Sequence, residues 1–340
     1  MLFSRDHPVV IAHRGASGYR PEHTLSSYRL AITLGADYVE PDLVVTADGV
    51  LVARHENELS GTTDVAQRPD FADRRTTKTI DGTRVSGWFS EDFTLAELRM
   101  LRARERLSAL RPLNRRYEGR EPVPTLQEVI DLVRRESARV GRQIGIYPET
   151  KSPTYFASIG LPHHEPLVQC LEVNGLNVPD GRVVIQSFET TNLRLLRRDL
   201  RVPLVQLIAA TGSPHDLAAA GRPRSYGDLV TPSGLAEIAS YADGIGPSKG
   251  LILPRDTTGA LMPATSLVAR AHDAGLVVHA YTFRDENTFL PSDLRMGTDP
   301  GARGKAAEEY ALFFAAGLDG VFSDYPDTAL SARAAFEIAA

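Results

Sequence analysis

Glu40 and Asp42 stand two residues apart in the apolar run that opens the stretch YVEPDLVVTADGVLVARH, Tyr38 to His55. In a strand, that spacing points both carboxylates to one face. Two carboxylates held close raise each other's pKa, and burying either one unpaired costs several kcal/mol. A bound divalent cation removes both penalties. Thr46 to Gly49 reads as a tight turn and Val50 to His55 as a second extended run. Paired as a hairpin, the two runs bring His55 opposite residues 40–42, to within roughly one or two residues of register.

His13 closes another apolar run, VVIAH, and is followed by Arg14 and Gly15. A histidine alone at a strand end is as readily structural as functional, but these neighbours favour function. Arg14 offers a planar fork for a phosphate or carboxylate, and Gly15 lets the backbone approach a ligand closely. His13 and His55 then form a candidate acid and base pair, since an imidazole with a pKa near ~6.5 serves in either role. Glu149 and Lys151, two apart in YPETK, share a face in the same way. Glu40, Asp42 and Glu149 make an all-oxygen set suited to one Ca²⁺ or Mg²⁺ rather than Zn²⁺, and no HExxH or CxxC supports zinc. Lys151, one of four lysines, suits a point-charge contact to phosphate. The competing reading of Glu149 and Lys151 is a surface salt bridge on an edge strand.

These residues need elements to position them. Strand patterns fall at Val9–His13, Ile144–Lys151, Arg182–Phe188, Pro203–Ala209, Gly244–Ser248, Leu276–Phe283 and Gly320–Asp324, besides the two runs around the turn. Helical patterns separate most of them, at Thr24–Gly35, Thr125–Ser137, Glu189–Leu200, Ala264–Ala274 and Gly304–Ala316. The alternation predicts an α/β fold of the (β/α)8 barrel type over residues 1–340 as a single catalytic domain. A doubly wound open sheet is the runner-up, weakened by the lack of any GxGxxG or GxxxxGK[ST] after a strand. Residues 56–122, polar and arginine-rich, read as an insertion after the third strand, over the active-site end of the barrel. A helical pattern is visible there only at Leu95–Arg106. The other reading is an excursion packed against the barrel side. Residues 285–303 form a second loop at the same end. A hairpin of the second and third strands is antiparallel, so the barrel is expected to be locally irregular there.

The chain has 340 residues, 42% hydrophobic and 24% charged, with a net charge of -5 and one cysteine, Cys170. That balance fits a folded globular protein and carries no basic footprint for nucleic acid. One cysteine excludes an intrachain disulfide. The opening MLFSRDHPVVIAH lacks a basic segment followed by a long apolar one, and no run reaches the ~18 apolar residues of a membrane span. A soluble cytoplasmic protein without stable membrane insertion is expected; a secreted or periplasmic form whose leader had been removed would read the same way. Oligomeric state is not legible.

HRGASGYRPEHT from His13, EPDLVVTADGVLVARHENELSGTTDV from Glu40, PETK at Pro148, QSF at Gln186 and the closing DGVFSDYPD resemble the glycerophosphodiester phosphodiesterase family, closest to its bacterial calcium-dependent branch with a long insertion. The similarity covers about Val9 to Asp327. The resemblance implies a TIM barrel that hydrolyses small glycerophosphodiesters, such as glycerophosphocholine or glycerophosphoethanolamine, to sn-glycerol 3-phosphate and an alcohol. It implies catalysis by His13 and His55 through a cyclic phosphate, with His13 favoured as base and His55 as acid. The implied cofactor is one divalent cation on Glu40, Asp42 and Glu149, Ca²⁺ ahead of Mg²⁺, with Arg14 and Lys151 on the phosphate side and Glu22 in support. His23 and Tyr281 depart from the common Asn and Trp, which bears on headgroup preference. His163 and His164 have no counterpart there and are expected to be solvated, like His7, His215 and His272. His279 is expected in the core. The alternatives are a phospholipase-like barrel acting on intact or lyso-phospholipids, and an inactive binding barrel.

Overall fold

Runs of β-branched and aliphatic residues form the staves of a parallel ring. The computed structural model describes residues 7–180, 182–222 and 224–339; the first six residues of the opening stretch on which the leader expectation rests lie outside them. The strands are β1 (Val9–His13), β2 (Tyr38–Glu40), β3 (Asp42–Val45), β4 (Leu51–Ala53), β5 (Thr76–Ile80), β6 (Thr83–Gly87), β7 (Gly145–Ile146), β8 (Glu149–Thr150), β9 (Ile185–Ser187), β10 (Leu204–Ile208), β11 (Gly244–Pro247), β12 (Val277–Phe283) and β13 (Gly320–Ser323). β1 pairs with β13 on one side and β2 on the other, and every further step from β8 to β13 is parallel.

Two staves are split. Pro41 separates β2 from β3, and Pro148 separates β7 from β8, because proline cannot donate to a ladder. Pairing nevertheless continues across both breaks: the amides of Tyr147, Glu149 and Lys151 donate to the carbonyls of Val39, Pro41 and Leu43 at 2.9, 3.0 and 3.1 Å. With each split stave counted once and β4 set aside, the eleven-stranded sheet is a closed ring of eight, an α/β barrel.

β4 is antiparallel to β3, with Leu43 opposite Ala53 and Val45 opposite Leu51. The expected hairpin about Thr46–Gly49 is therefore present, but its second arm is an annex outside the ring rather than the third stave. That is how an antiparallel pair coexists with a parallel barrel. β1 stops at His13, and β3, running on past it, takes β4 as its neighbour there.

Helices pack outside the ring. Thr24 caps the helix Leu25–Leu34 by accepting from the Ser27 amide, and Gly35 ends it at φ 111°, a left-handed position that suits glycine. Thr125 and Glu128 form a capping box on Leu126–Val140. Thr190–Asp199, Leu267–Asp273 and Ala306–Ala315 follow the remaining helical patterns, each a little shorter than its pattern. Between ring and helices lies the large core; inside the ring, Ile11, Tyr38, Tyr147, Val184, Val205 and Phe322 make a second one. His279 is fully buried there, bonded to the Tyr147 hydroxyl at 2.9 Å, as expected.

The helical pattern at Leu95–Arg106 is overturned beyond one turn. Only Leu95–Leu98 is helical, and Ala103 forms an antiparallel bridge to Thr63 instead. The same segment also contains the β5–β6 hairpin, turned at Asp81 and Gly82 with φ 49° and 79°.

Candidate active site

The ring's register assembles the site at the carboxyl ends of its strands. His13 lies level with Glu40, Asp42 with Glu149, and Glu149 with Gln186. One layer thus receives residues from four staves, at the end where barrels carry their chemistry. His13, Arg14, Glu40, His55, Glu149, Lys151 and Tyr281 line one cavity of about 340 Å³, joined by Gln186, Phe188, Ser248, Lys249 and Arg284. A larger groove of about 520 Å³ runs beside the helix Leu126–Val140 and holds none of them.

Carboxylate oxygens of Glu40, Asp42 and Glu149 all lie within 4.8 Å of one another, and all three residues are buried. Glu40 accepts from the Arg14 amide and from Gln186 Nε2, both at 2.9 Å. Glu149 accepts from Lys151 Nζ at 2.7 Å. Burial, then the charges of Asp42 and Glu149, push the Glu40 carboxyl far above its ordinary value. Burial pushes Glu149 up to about 8, with Lys151 opposing and Asp42 adding to the rise. Asp42 goes the other way: burial opposes its charge, but Lys151, His23 and His55 together hold it ionised. Its Oδ1 is buried and has no hydrogen-bond partner. A bare carboxylate oxygen facing two neighbouring carboxylates fits a hard divalent cation.

The two histidines approach this layer from different elements. His13 Nε2 is 4.0 Å from Glu40, and its Nδ1 is 2.6 Å from Asp324. Burial and Arg14 lower its pKa to about 4, against the pull of Asp324. His55 follows β4, and the Arg54 amide ahead of it donates to the Asp42 carbonyl at 2.9 Å. His55 Nδ1 is 2.5 Å from Glu56. Burial, Arg14 and Lys151 lower the His55 pKa to about 3; its side chain keeps 29% exposure, so water tempers that shift.

Other predicted residues surround this layer. Glu22 does not line the cavity; it lies behind Arg14, accepting from Arg14 Nη1 at 3.1 Å and from Arg106 Nε at 2.7 Å. Tyr281 presents its ring, packed edge-on to Phe188, while its hydroxyl donates to the Ile208 carbonyl at 3.0 Å. At Gly15 a Cβ would lie 2.5 Å from Ser27 Oγ and 2.8 Å from the Ser27 backbone, so glycine lets the loop pack on the first helix. His23 does not face a headgroup. It is fully buried, clamping Asp42 Oδ2 with Nε2 at 2.9 Å and holding Tyr28 with Nδ1 at 2.7 Å.

His163 is also buried rather than solvated, donating from Nε2 to the Leu43 carbonyl at 2.9 Å. His164 and His272 are half-buried and pair with Asp199 and Asp319 at 2.7 and 2.8 Å. Unforeseen in the sequence were Asp324, Gln186, Lys249, Arg284 and the arginines of the inserted segment. Asp324 and Gln186 stood inside recognisable motifs without a role; Lys249, paired with the buried Glu309 at 2.8 Å, gave no signal at all.

Fold and cavity define an enzyme of the α/β-barrel class with its reactive groups at the carboxyl ends of the strands. Residues 13–328 match the model of the glycerophosphoryl diester phosphodiesterase family. A glycerophosphodiester phosphodiesterase of Arabidopsis thaliana is 34% identical over 94% of this chain and 84% of its own, and one of Haemophilus influenzae is 31% identical over 94% and 88%. A phosphodiesterase of Oleispira antarctica, solved with the product sn-glycerol-3-phosphate, shares the fold with a TM-score of 0.61 at 23% identity, over 96% of each chain. The chain belongs to the glycerophosphoryl diester phosphodiesterase family, and its activity is that of a glycerophosphodiester phosphodiesterase.

Proposed function

We propose that the protein hydrolyses small glycerophosphodiesters to sn-glycerol 3-phosphate and an alcohol, by metal-dependent acid and base catalysis with His13 and His55. The observation that carries this is the meeting on one cavity of two histidines, two phosphate-side cations and two members, Glu40 and Glu149, of a buried acidic triad. A divalent cation held by Glu40, Asp42 and Glu149, with Ca²⁺ favoured over Mg²⁺ for an all-oxygen buried set, would polarise a nonbridging phosphate oxygen. Arg14 and Lys151 offset the charge that builds on phosphorus.

His13 is held neutral by its surroundings, which suits a base. It takes the proton of the glycerol 2-hydroxyl, whose oxygen attacks phosphorus, and Asp324 steadies the imidazolium. His55 protonates the leaving alkoxide. It must carry a proton to do so; burial depresses its pKa first, and the phosphodiester's own negative charge counters Arg14 and Lys151, the two cations that add to that depression. Water then opens the cyclic phosphate with the histidine roles reversed. The product found with the Oleispira protein, sn-glycerol-3-phosphate, is the phosphate ester that this reaction would release.

Substrate preference follows from the neighbouring cavity of about 410 Å³, which shares Glu149, Lys151 and Phe188 with the first and adds Asp81, Glu189 and Tyr226. Acids beside aromatic faces suit a cationic alcohol such as choline or ethanolamine. We further propose that residues 56–122 lie over the active-site end as part of one catalytic domain; the contacts of Arg106, Arg111 and Asp81 support this.

Turnover of glycerophosphocholine with added Ca²⁺ tests the reading. His13→Ala or His55→Ala should lower kcat roughly 10²–10⁴-fold while metal binding survives. Retention of more than about a twentieth of the activity in either variant, against that expected loss, refutes the assignment.

A further inference from the structure

We infer that the inserted segment orients both histidines, each through one arginine: Arg106 acts through Glu56 on His55, and Arg111 acts through Asp324 on His13. This rests on the reading of His13 and His55 as the catalytic pair. The two relays have the same construction. Arg106 donates to Glu56 from Nη1 at 3.0 Å and from Nη2 at 2.5 Å, and Glu56 Oε1 meets His55 Nδ1 at 2.5 Å. Arg111 Nη2 donates to Asp324 Oδ2 at 2.6 Å, and Asp324 Oδ1 meets His13 Nδ1 at 2.6 Å. An ionised carboxylate only accepts, so in both cases the ring proton sits on Nδ1. The Nε2 lone pair is then free for chemistry, and in His13 that atom faces the acidic layer.

Neither carboxylate would hold its histidine alone. Glu56 is 41% exposed at its side chain, and a long exposed side chain pays rotamer entropy to stay in one place. The guanidinium fork of Arg106 fixes both its oxygens. Asp324 is buried and receives Arg284 Nε at 2.9 Å as well as Arg111. Each arginine is in turn anchored to the barrel loops: Arg106 on Glu22 at 2.7 and 2.8 Å, Arg111 on Glu286 at 2.6 Å and on the Ser17 carbonyl at 3.0 Å. The space enclosed between the two relays is about 20 Å³, room for a water and not for substrate. On this side the segment is a wall of the site, and the arginines are positioning residues rather than catalytic ones.

Arg106→Met and Arg111→Met, with Arg106→Lys and Arg111→Lys as the variants that keep charge but lose the fork, test this by steady-state kinetics and by ¹⁵N NMR of the imidazoles in metal-free protein. Outer partners of catalytic groups are worth roughly 10–100-fold. Arg106→Met should lower kcat by about that factor, leave KM within about threefold, and shift the His55 nitrogens towards a tautomer mixture while those of His13 stay put. Arg111→Met should do the converse, more weakly because Arg284 remains. If a methionine variant does not fold, its lysine counterpart carries the same test with the same signs. Either variant keeping kcat within about twofold with both imidazole spectra unchanged overturns the inference, and so does loss of both histidine signatures together. The His13→Ala and His55→Ala activities separate the two readings: if those variants stay active the catalytic assignment fails, whereas the tautomer signals still report on the relays.

Discussion

Asp324 is the residue whose role depends most on the fold. It stands 311 positions from His13 and meets it at 2.6 Å, a contact that the closing of the ring makes by pairing β1 with β13. Two arginines and the histidine hold its carboxyl well below the ordinary range in spite of burial. Asp324→Asn replaces an acceptor by an amide that can donate to Nδ1, which favours the wrong tautomer. The expected outcome is a fall in kcat of roughly 10²–10⁴-fold with a smaller change in KM, measured on glycerophosphocholine. The pH profile belongs to the same scale. A base histidine stops accepting once it is protonated, so activity falls as pH drops through its folded pKa. Because burial and Arg14 hold His13 near 4 rather than 6.5, the acidic limb of kcat/KM should lie well below pH 6. A limb centred at or above 6.5 would show that His13 is not the base or is not buried during turnover. The histidines and carboxylates of the site were legible in the sequence because HRG, ExD and ExK spacings encode one face of a strand end. Asp324 was not: DGVFSDYPD marked its place, but its contact with His13 arises only when the ring closes across 311 positions.

Among the elements, the staves were legible and the inserted segment was not. Short β-branched runs announce buried parallel strands through composition alone, and Thr24, Thr125 and Gly35 mark the helix ends by capping chemistry. β5 and β6 carried the Asp-Gly turn signal of a hairpin, but their residues, TTKTI and TRVSG, are polar on both faces and give little alternation to read. Leu95–Arg106 failed as a helix because Ala103 exchanges backbone bonds with other segments of the insertion, taking Thr63 as bridge partner and donating to the Glu121 carbonyl at 2.8 Å. That exchange leaves Glu105 buried, accepting from the Leu107 amide at 2.8 Å and Asn114 Nδ2 at 2.9 Å. Burial raises its pKa from 4.5 to about 7. Between those values the folded state keeps a proton that the unfolded chain has released, so this group's contribution to stability is full below pH ~4.5 and is lost as pH rises through ~7. Glu105→Gln should therefore be more stable than the parent at pH 8, by up to roughly 3 kcal/mol at about 1.4 kcal/mol per pH unit, and no more stable at pH 4. Urea unfolding at both pH values measures the difference; equal stabilities at pH 8 would mean that the carboxyl is solvated.

At the level of the molecule, closing a ring of eight staves forces charges from separate strands into one layer. Glu40, Asp42 and Glu149 come from two neighbouring staves, and the arrangement has opposite consequences with and without a cation. Without one, two of the three carboxyls resist ionisation: Glu149 is pushed up to about 8, and burial with the charges of Asp42 and Glu149 holds Glu40 well above its ordinary value. A cation must displace those protons, so its affinity should rise with pH towards 8 and weaken towards pH 6. Binding to the folded state alone adds about 2.7 kcal/mol at a hundredfold excess over Kd. Chelation with EDTA should accordingly abolish turnover and lower Tm by a few degrees, with Ca²⁺ restoring both and the Tm difference larger at pH 8 than at pH 6. Glu40→Gln separates the triad from any other ion site: the variant should lose the Ca²⁺-dependent Tm shift while being, without metal at pH 8, at least as stable as the parent, since a neutral amide avoids the cost of burying a carboxyl beside Asp42 and Glu149. A variant that keeps the full Ca²⁺ shift would place the ion elsewhere on the molecule.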